Sequence, residues 1–128
     1  MNIIISNSSD IPIYEQLKEQ IKDLIITNEW KCGEKLPSIR VLAKDLGISV
    51  ITTKNAYEEL EREGYIETVP AKGSYVANKN VELIREEQLQ RIEKLIDNAV
   101  SIARISSISK KELMTILNIL YEEDEYEE

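Results

Sequence analysis

The sequence predicts a mostly α-helical protein with one small β-hairpin. Three observations carry that prediction. Apolar residues recur at three- and four-residue steps in five separate segments. Two short alternating segments rich in β-formers flank Pro70-Ala71-Lys72-Gly73. Only Ile48 stands between Gly47, a helix stop, and Ser49, a helix start.

The first helix is predicted from Pro12 to about Asn28. Pro12 suits the first helical position, and Ile13, Leu17, Ile21, Leu24 and Ile25 form its apolar face. Trp30 to Lys35 reads as a connecting loop. Ser38 is the candidate N-cap of a short second helix with Ile39, Leu42, Ala43 and Leu46 on one face, stopped by Gly47. Ser49 caps a third helix running to about Glu63, with Thr53, Ala56, Tyr57 and Leu60 turned to the core and Gly64 at its end. Two helices joined by so short a turn make a helix-turn-helix. Tyr65–Val69 and Ser74–Ala77 then form a hairpin with a four-residue tip. In this order the elements of residues 1–78 are a winged helix-turn-helix.

Residues 79–121 change character. Val81, Ile84, Gln88, Ile92, Leu95, Ala99 and Ile102 keep helical spacing, with Ile96 and Ala103 widening the stripe. Ser106-Ser107 breaks this helix. Ser109-Lys110-Lys111-Glu112 fits a capping box before Leu113, Ile116, Leu117 and Leu120. Two amphipathic helices cannot bury both faces alone, so the stripe must meet the first domain or a second copy of the chain. Residues 122–128 hold six acids and are predicted to be a disordered tail.

Composition narrows the chemistry. The chain has 128 residues, no His and one Cys, Cys32. That removes most metal sites, every His-assisted nucleophile and any intrachain disulfide. The expectation is no enzyme, no metal and no cofactor. No apolar run approaches the roughly 18 residues of a spanning helix, and no signal peptide precedes the domain, so the expected compartment is the cytoplasm, with no membrane partner. The net charge of −8 argues against a polyanion partner, but it is uneven. From Lys35 to Ala56, four cations (Lys35, Arg40, Lys44, Lys54) face Asp45 alone.

The chain resembles the GntR family of transcription regulators, in its short YtrA-like subfamily. The resemblance spans about residues 12–77. It rests on Pro12-Ile13-Tyr14-Glu15-Gln16-Leu17, on Gly33 to Arg40 with its Leu-Pro-Ser-x-Arg segment, on Leu42-Ala43, on Ala56 to Ile66 with its Leu-Glu-Arg-Glu-Gly-x-Ile segment, and on Lys72 to Val76. It implies a homodimeric repressor of double-stranded DNA, dimerised by the tail helices. The dimer seam is then expected at Ile84, Ile92, Leu95, Ile96, Ala99, Ile102, Leu113, Ile116, Leu117 and Leu120. An effector, where one exists, is expected between the tail and the winged domain.

A recognition helix reads bases with its N-terminal residues, here Ser49, Val50, Ile51, Thr52 and Lys54, with Asn55 on the flank. The resemblance gives Arg40 a DNA contact from the second helix, beside Lys44. It gives Lys72 and Gly73 the wing's approach to the minor groove, Gly73 letting the backbone come close. Val50 and Ile51 are apolar where relatives are commonly polar, which fits thymine methyls and A·T-rich half-sites. The rival expectation is a winged-helix protein–protein module with little DNA affinity, supported by the −8 charge and by this apolar pair.

Overall fold

The computed structural model describes residues 3–79 and 81–126. The order is α1 (Ile13–Ile26), α2 (Ile39–Leu46), α3 (Val50–Arg62), β1 (Ile66–Val69), β2 (Gly73–Val76), α4 (Val81–Ile105) and α5 (Lys110–Tyr126). This is a winged helix-turn-helix followed by two helices. The chain divides into two compact units, Met1–Ile84 and Arg85–Glu128.

In the first unit one core joins all the elements. Leu17 and Ile21 of α1, Leu42 of α2, and Ala56, Tyr57 and Leu60 of α3 meet Leu36, Tyr65, Ile66 and Val76. Burying a large apolar side chain contributes roughly 1.5–3 kcal/mol, so this cluster is what holds the three helices and the hairpin together. Ile3 also joins it. The N-terminal segment is held on α1 by Gln20, whose amide accepts from the Ile4 N–H at 2.9 Å and donates to its carbonyl at 2.7 Å. Nothing in the composition of residues 1–5 signalled that role.

Four local expectations need correction. Pro12 is the N-cap of α1, one place before the first helical position, and its carbonyl accepts the Gln16 N–H. The helix ends at Ile26, because Asn28 turns to φ 64° and the Trp30 N–H closes back on the Leu24 carbonyl. The hairpin loop has three residues, since Gly73 pairs with Val69 inside the ladder. Pro70 and Ala71 form the turn, with Ala71 at φ 64° and the Lys72 N–H on the Val69 carbonyl, the pattern of a Pro-led type II turn. Finally, the stretch predicted to be a disordered tail is helical as far as Tyr126, and residues 127–128 lie outside the described residues. Glu is a good helix former, and α5 is already nucleated upstream, where the Ser109 Oγ accepts the Glu112 N–H at 3.2 Å.

An ionic cluster ties α1 to the end of α3. The Glu63 carboxylate receives Lys22 Nζ at 2.6 Å and Lys18 Nζ at 3.2 Å. Lys79 Nζ donates to the Glu63 carbonyl at 2.7 Å and lies 3.9 Å from the Tyr65 ring centre. Partial burial acts to raise the Glu63 pKa, but the hydrogen bonds and charges of Lys22 and Lys18 outweigh it and hold the carboxyl below its ordinary value. A carboxyl depressed by folding adds stability above the ordinary carboxylate pKa of about 4.3 and loses it as pH falls through the folded value. Glu63→Gln should therefore lower the melting temperature at neutral pH and lower it less in acid, below the ordinary carboxylate pKa. Thermal melts at the two pH values check this; equal losses at both would show that the charge is not the cause.

Within the second unit, α4 and α5 share little surface with each other among the described residues. Their connection is a tight turn, with Ser107 at φ 56° and the Ile108 N–H on the Ala103 carbonyl at 2.8 Å. Of the 22 exposed large hydrophobic side chains among the described residues, 13 lie in this unit, between Leu89 and Tyr121, so it carries most of the open apolar surface. No described helix is long and apolar enough to cross a membrane.

Candidate nucleic-acid interface

The turn between α2 and α3 is built by backbone hydrogen bonds. Gly47, at φ 67°, takes the left-handed stop. Its N–H reaches the Lys44 carbonyl, and the Ile48 N–H reaches that of Ala43. This pair of bonds is a Schellman motif, and Ile48 packs on the core beyond it. Ser49 then caps α3. Its Oγ accepts the Thr52 N–H at 3.0 Å and donates to Thr52 Oγ1 at 2.7 Å. Thr53, buried, donates to the Ser49 carbonyl at 3.0 Å. The two hydroxyls expected at the interface, Ser49 and Thr52, are thus first of all partners of each other. They fix the start of α3.

That start is open. Val50 is 47% exposed and Ile51 72%, while Thr53, Ala56, Tyr57 and Leu60 on the opposite side are buried. Lys54 is exposed, 3.8 Å from Glu58 one turn on. Such a surface pair is worth about 0.3–0.5 kcal/mol and leaves the ammonium available to a phosphate. Further along α3 the surface turns acidic at Glu58, Glu59 and Glu61.

Arg40 and Lys44 are exposed on α2. Ser38 caps this helix, its Oγ accepting the Val41 N–H at 3.2 Å. Lys44 lies in the last turn, where a cation also meets the negative end of the helix dipole. The lead-in to α2 is anchored from α3, where the Tyr57 hydroxyl donates to the Pro37 carbonyl at 2.7 Å. Burial pushes the Tyr57 hydroxyl well above its ordinary pKa, so the donor keeps its proton throughout the folded range. Tyr57→Phe should cost about 1 kcal/mol of stability and weaken DNA binding less than loss of Arg40 does. Denaturant melts with parallel binding curves test this; unchanged stability would mean that water replaces the bond.

The wing holds Lys72, exposed, and Gly73 at φ 118°. Gly73 also has a neighbour within the protein. A Cβ at Gly73 would meet Lys35 Cε at 3.0 Å and Nζ at 3.7 Å. The missing side chain makes room for Lys35. This lysine comes from the segment read as a loop, which pairs with β2: the Gly33 N–H reaches Val76, the Leu36 N–H reaches Ser74, and Lys35 bridges Tyr75. Only the isolated charge in the sequence pointed to Lys35. Its place beside the wing depends on pairing across about forty residues.

The seam residues behave as an unpartnered face. Leu95 is 60% exposed, Ile96 52%, Ile92 49%, Ile102 62%, Ile116 51%, Leu117 41% and Leu120 54%. Ala99 is exposed as well, whereas Ile84 and Leu113 are half-buried.

The model of the family described as bacterial regulatory proteins, gntR family, matches residues 13–76. The chain is 34% identical over 111 residues to the HTH-type transcriptional repressor YtrA of Bacillus subtilis (strain 168), covering 87% of this chain and 85% of that one. Its fold is similar to that of a transcriptional antiterminator from Listeria monocytogenes EGD-e, with a TM-score of 0.75 and 29% identity over 100% of this chain and 91% of that one. It is also similar to the DNA-binding domain of AraR in complex with operator ORX1, with a TM-score of 0.54 and 25% identity over 60% of this chain and 96% of that one.

Proposed function

This chain belongs to the GntR family and is a DNA-binding transcription regulator, and from that premise we propose that it is a repressor that binds an inverted-repeat operator as a homodimer in the cytoplasm. Each subunit sets α3 in a major groove and its wing against the neighbouring minor groove. The observation that carries the reading is the open first turn of α3: Val50 and Ile51 stand exposed at the end of a capped helix, in the position from which base edges are read. Apolar side chains there suit thymine methyls, so the half-sites are expected to be A·T-rich. Arg40 and Lys44 grip the backbone from α2, Lys54 from α3 and Lys72 from the wing; Ser49 and Thr52 hold the reading turn in shape.

The second copy is inferred from the tail. Apolar faces on α4 and α5 that barely touch each other within the chain need a partner, and a two-fold dimer matches a two-fold operator. The partners proposed are thus double-stranded DNA and a second copy of this chain. A small-molecule effector is a third proposed partner.

The test is a selection of bound duplexes from a randomised pool at about physiological salt, where non-specific phosphate binding is suppressed. Enrichment of an inverted repeat supports the reading, and its half-site spacing measures the separation of the two reading heads. Failure to enrich from a folded dimer, with and without cell extract, overturns it. That outcome favours the protein–protein module which the −8 charge also suits.

A further inference from the structure

We propose that Lys35, Arg40 and Lys72 form one phosphate cradle at the base of the wing, and that Lys35 is a DNA-backbone contact. The inference rests on the DNA-binding reading above. The three cations come from three different segments, and one groove of about 340 Å³ brings them together. The hydroxyl residues Ser38, Thr68 and Ser74 also line it, and no carboxylate does. Three other grooves among the described residues are lined by Glu58 and Glu59, by Glu93 and Asp97, and by Glu61 and Glu67.

Among the described residues Lys35, Arg40 and Lys72 form no ion pair, whereas Lys18, Lys22, Lys54 and Arg62 each have a glutamate. In a chain of net charge −8, an acid-free groove with three unneutralised cations is where the local field favours an anion. The fold also sets where Lys35 stands. The end of its side chain, Cε and Nζ, lies over Gly73, where a Cβ would approach Cε to 3.0 Å, and its backbone is paired to β2. A lysine whose backbone is already placed beside the groove loses less conformational freedom when it meets a phosphate. The wing's contribution to DNA is therefore a pair of lysines rather than Lys72 alone. Gly73 acts through Lys35.

A phosphate contact positions the protein without reading sequence. That gives the cradle a signature of its own. Lys35→Met keeps an unbranched stem over Gly73 and removes the charge. Binding of the full chain to the enriched duplex and to a scrambled duplex is measured by fluorescence anisotropy across a salt series. We expect both duplexes to weaken by the same factor, roughly tenfold near physiological salt, and the log–log salt slope to fall by about 0.9. Lys35→Gln, read by the same slope, stands in should the first variant fold poorly.

An unchanged slope and affinity in a folded, dimeric variant overturns the cradle and leaves the DNA-binding reading standing. A wild-type chain that binds no duplex fails that reading, and the proposal with it, which is a different result. Inorganic phosphate added to the wild type and followed by NMR separates the two anion sources. Amide shifts at Lys35, Ser38 and Gly73 with phosphate, together with an unchanged slope in Lys35→Met, would assign the groove to a free anion and overturn the DNA contact.

Discussion

Replacing Leu95 and Ile96 together with Asp is expected to turn the dimer into monomers and to abolish operator binding. The two residues are adjacent, 60% and 52% exposed in the single chain, and lie in the middle of α4. In the proposed seam they are covered by the second copy. Each introduced carboxylate would be buried there without a partner, at a cost of several kcal/mol, more than a helical seam of this size can absorb. Operator affinity then falls much further than dimer stability alone suggests. Two linked reading heads gain from the effective concentration that the first contact gives the second, and losing the link lowers affinity by roughly 10²- to 10⁴-fold.

The single chain itself should stay folded, because the substituted side chains already face out of it. Sedimentation equilibrium, circular dichroism and operator titration read the three quantities separately. A fully dimeric double variant that still binds operator would place the seam elsewhere on the tail.

Arg40→Ala is expected to weaken operator binding by about 1 to 3 kcal/mol, or roughly 5- to 150-fold, with stability unchanged within about 0.5 kcal/mol. The side chain is exposed and outside the core, so its loss opens no cavity. The loss is large because a planar guanidinium can hold a phosphate or a guanine edge with two bonds. A truncation so close to the capped start of α2 could also act by loosening the helix, but the cap at Ser38 and the Tyr57 anchor at Pro37 are independent of it. Comparing enriched and scrambled duplexes shows which contact Arg40 makes: equal losses mean phosphate, a larger loss on the enriched duplex means a base. Unchanged binding to both would remove Arg40 from the interface.

What was legible in the sequence follows from local rules. Ser38, Gly47, Ser49, Gly64 and Ser109 were readable as caps and stops because each acts on backbone groups a few residues away. The buried face of α3 was readable because helical spacing puts Thr53, Ala56, Tyr57 and Leu60 on one side. The same spacing exposed the open faces of the tail, which a single chain cannot close.

Other features depend on a neighbour distant in sequence or on the element that a segment continues. Residues 3–6 carry no motif, yet Gln20 holds the backbone of Ile4 and Gln16 that of Ser6, and Ile3 joins the core. The acid run after Tyr121 was read from its charge, while its conformation follows from helix propensity and from the helix it continues.

By itself, then, the sequence determined the winged helix-turn-helix, the start of α3 at Ser49 that leaves Val50 and Ile51 in its first turn, and the family to which the chain belongs. These depend on capping, periodicity and short motifs, all of which act within a few residues. Only the tertiary structure decided that the segment before α2 pairs with the wing. With that pairing, Gly73 serves as the passage for Lys35, and Arg40, Lys35 and Lys72 share one acid-free groove. The reason is physical. A charge in sequence has a sign but no address, and its address is set by backbone pairing between residues about forty positions apart.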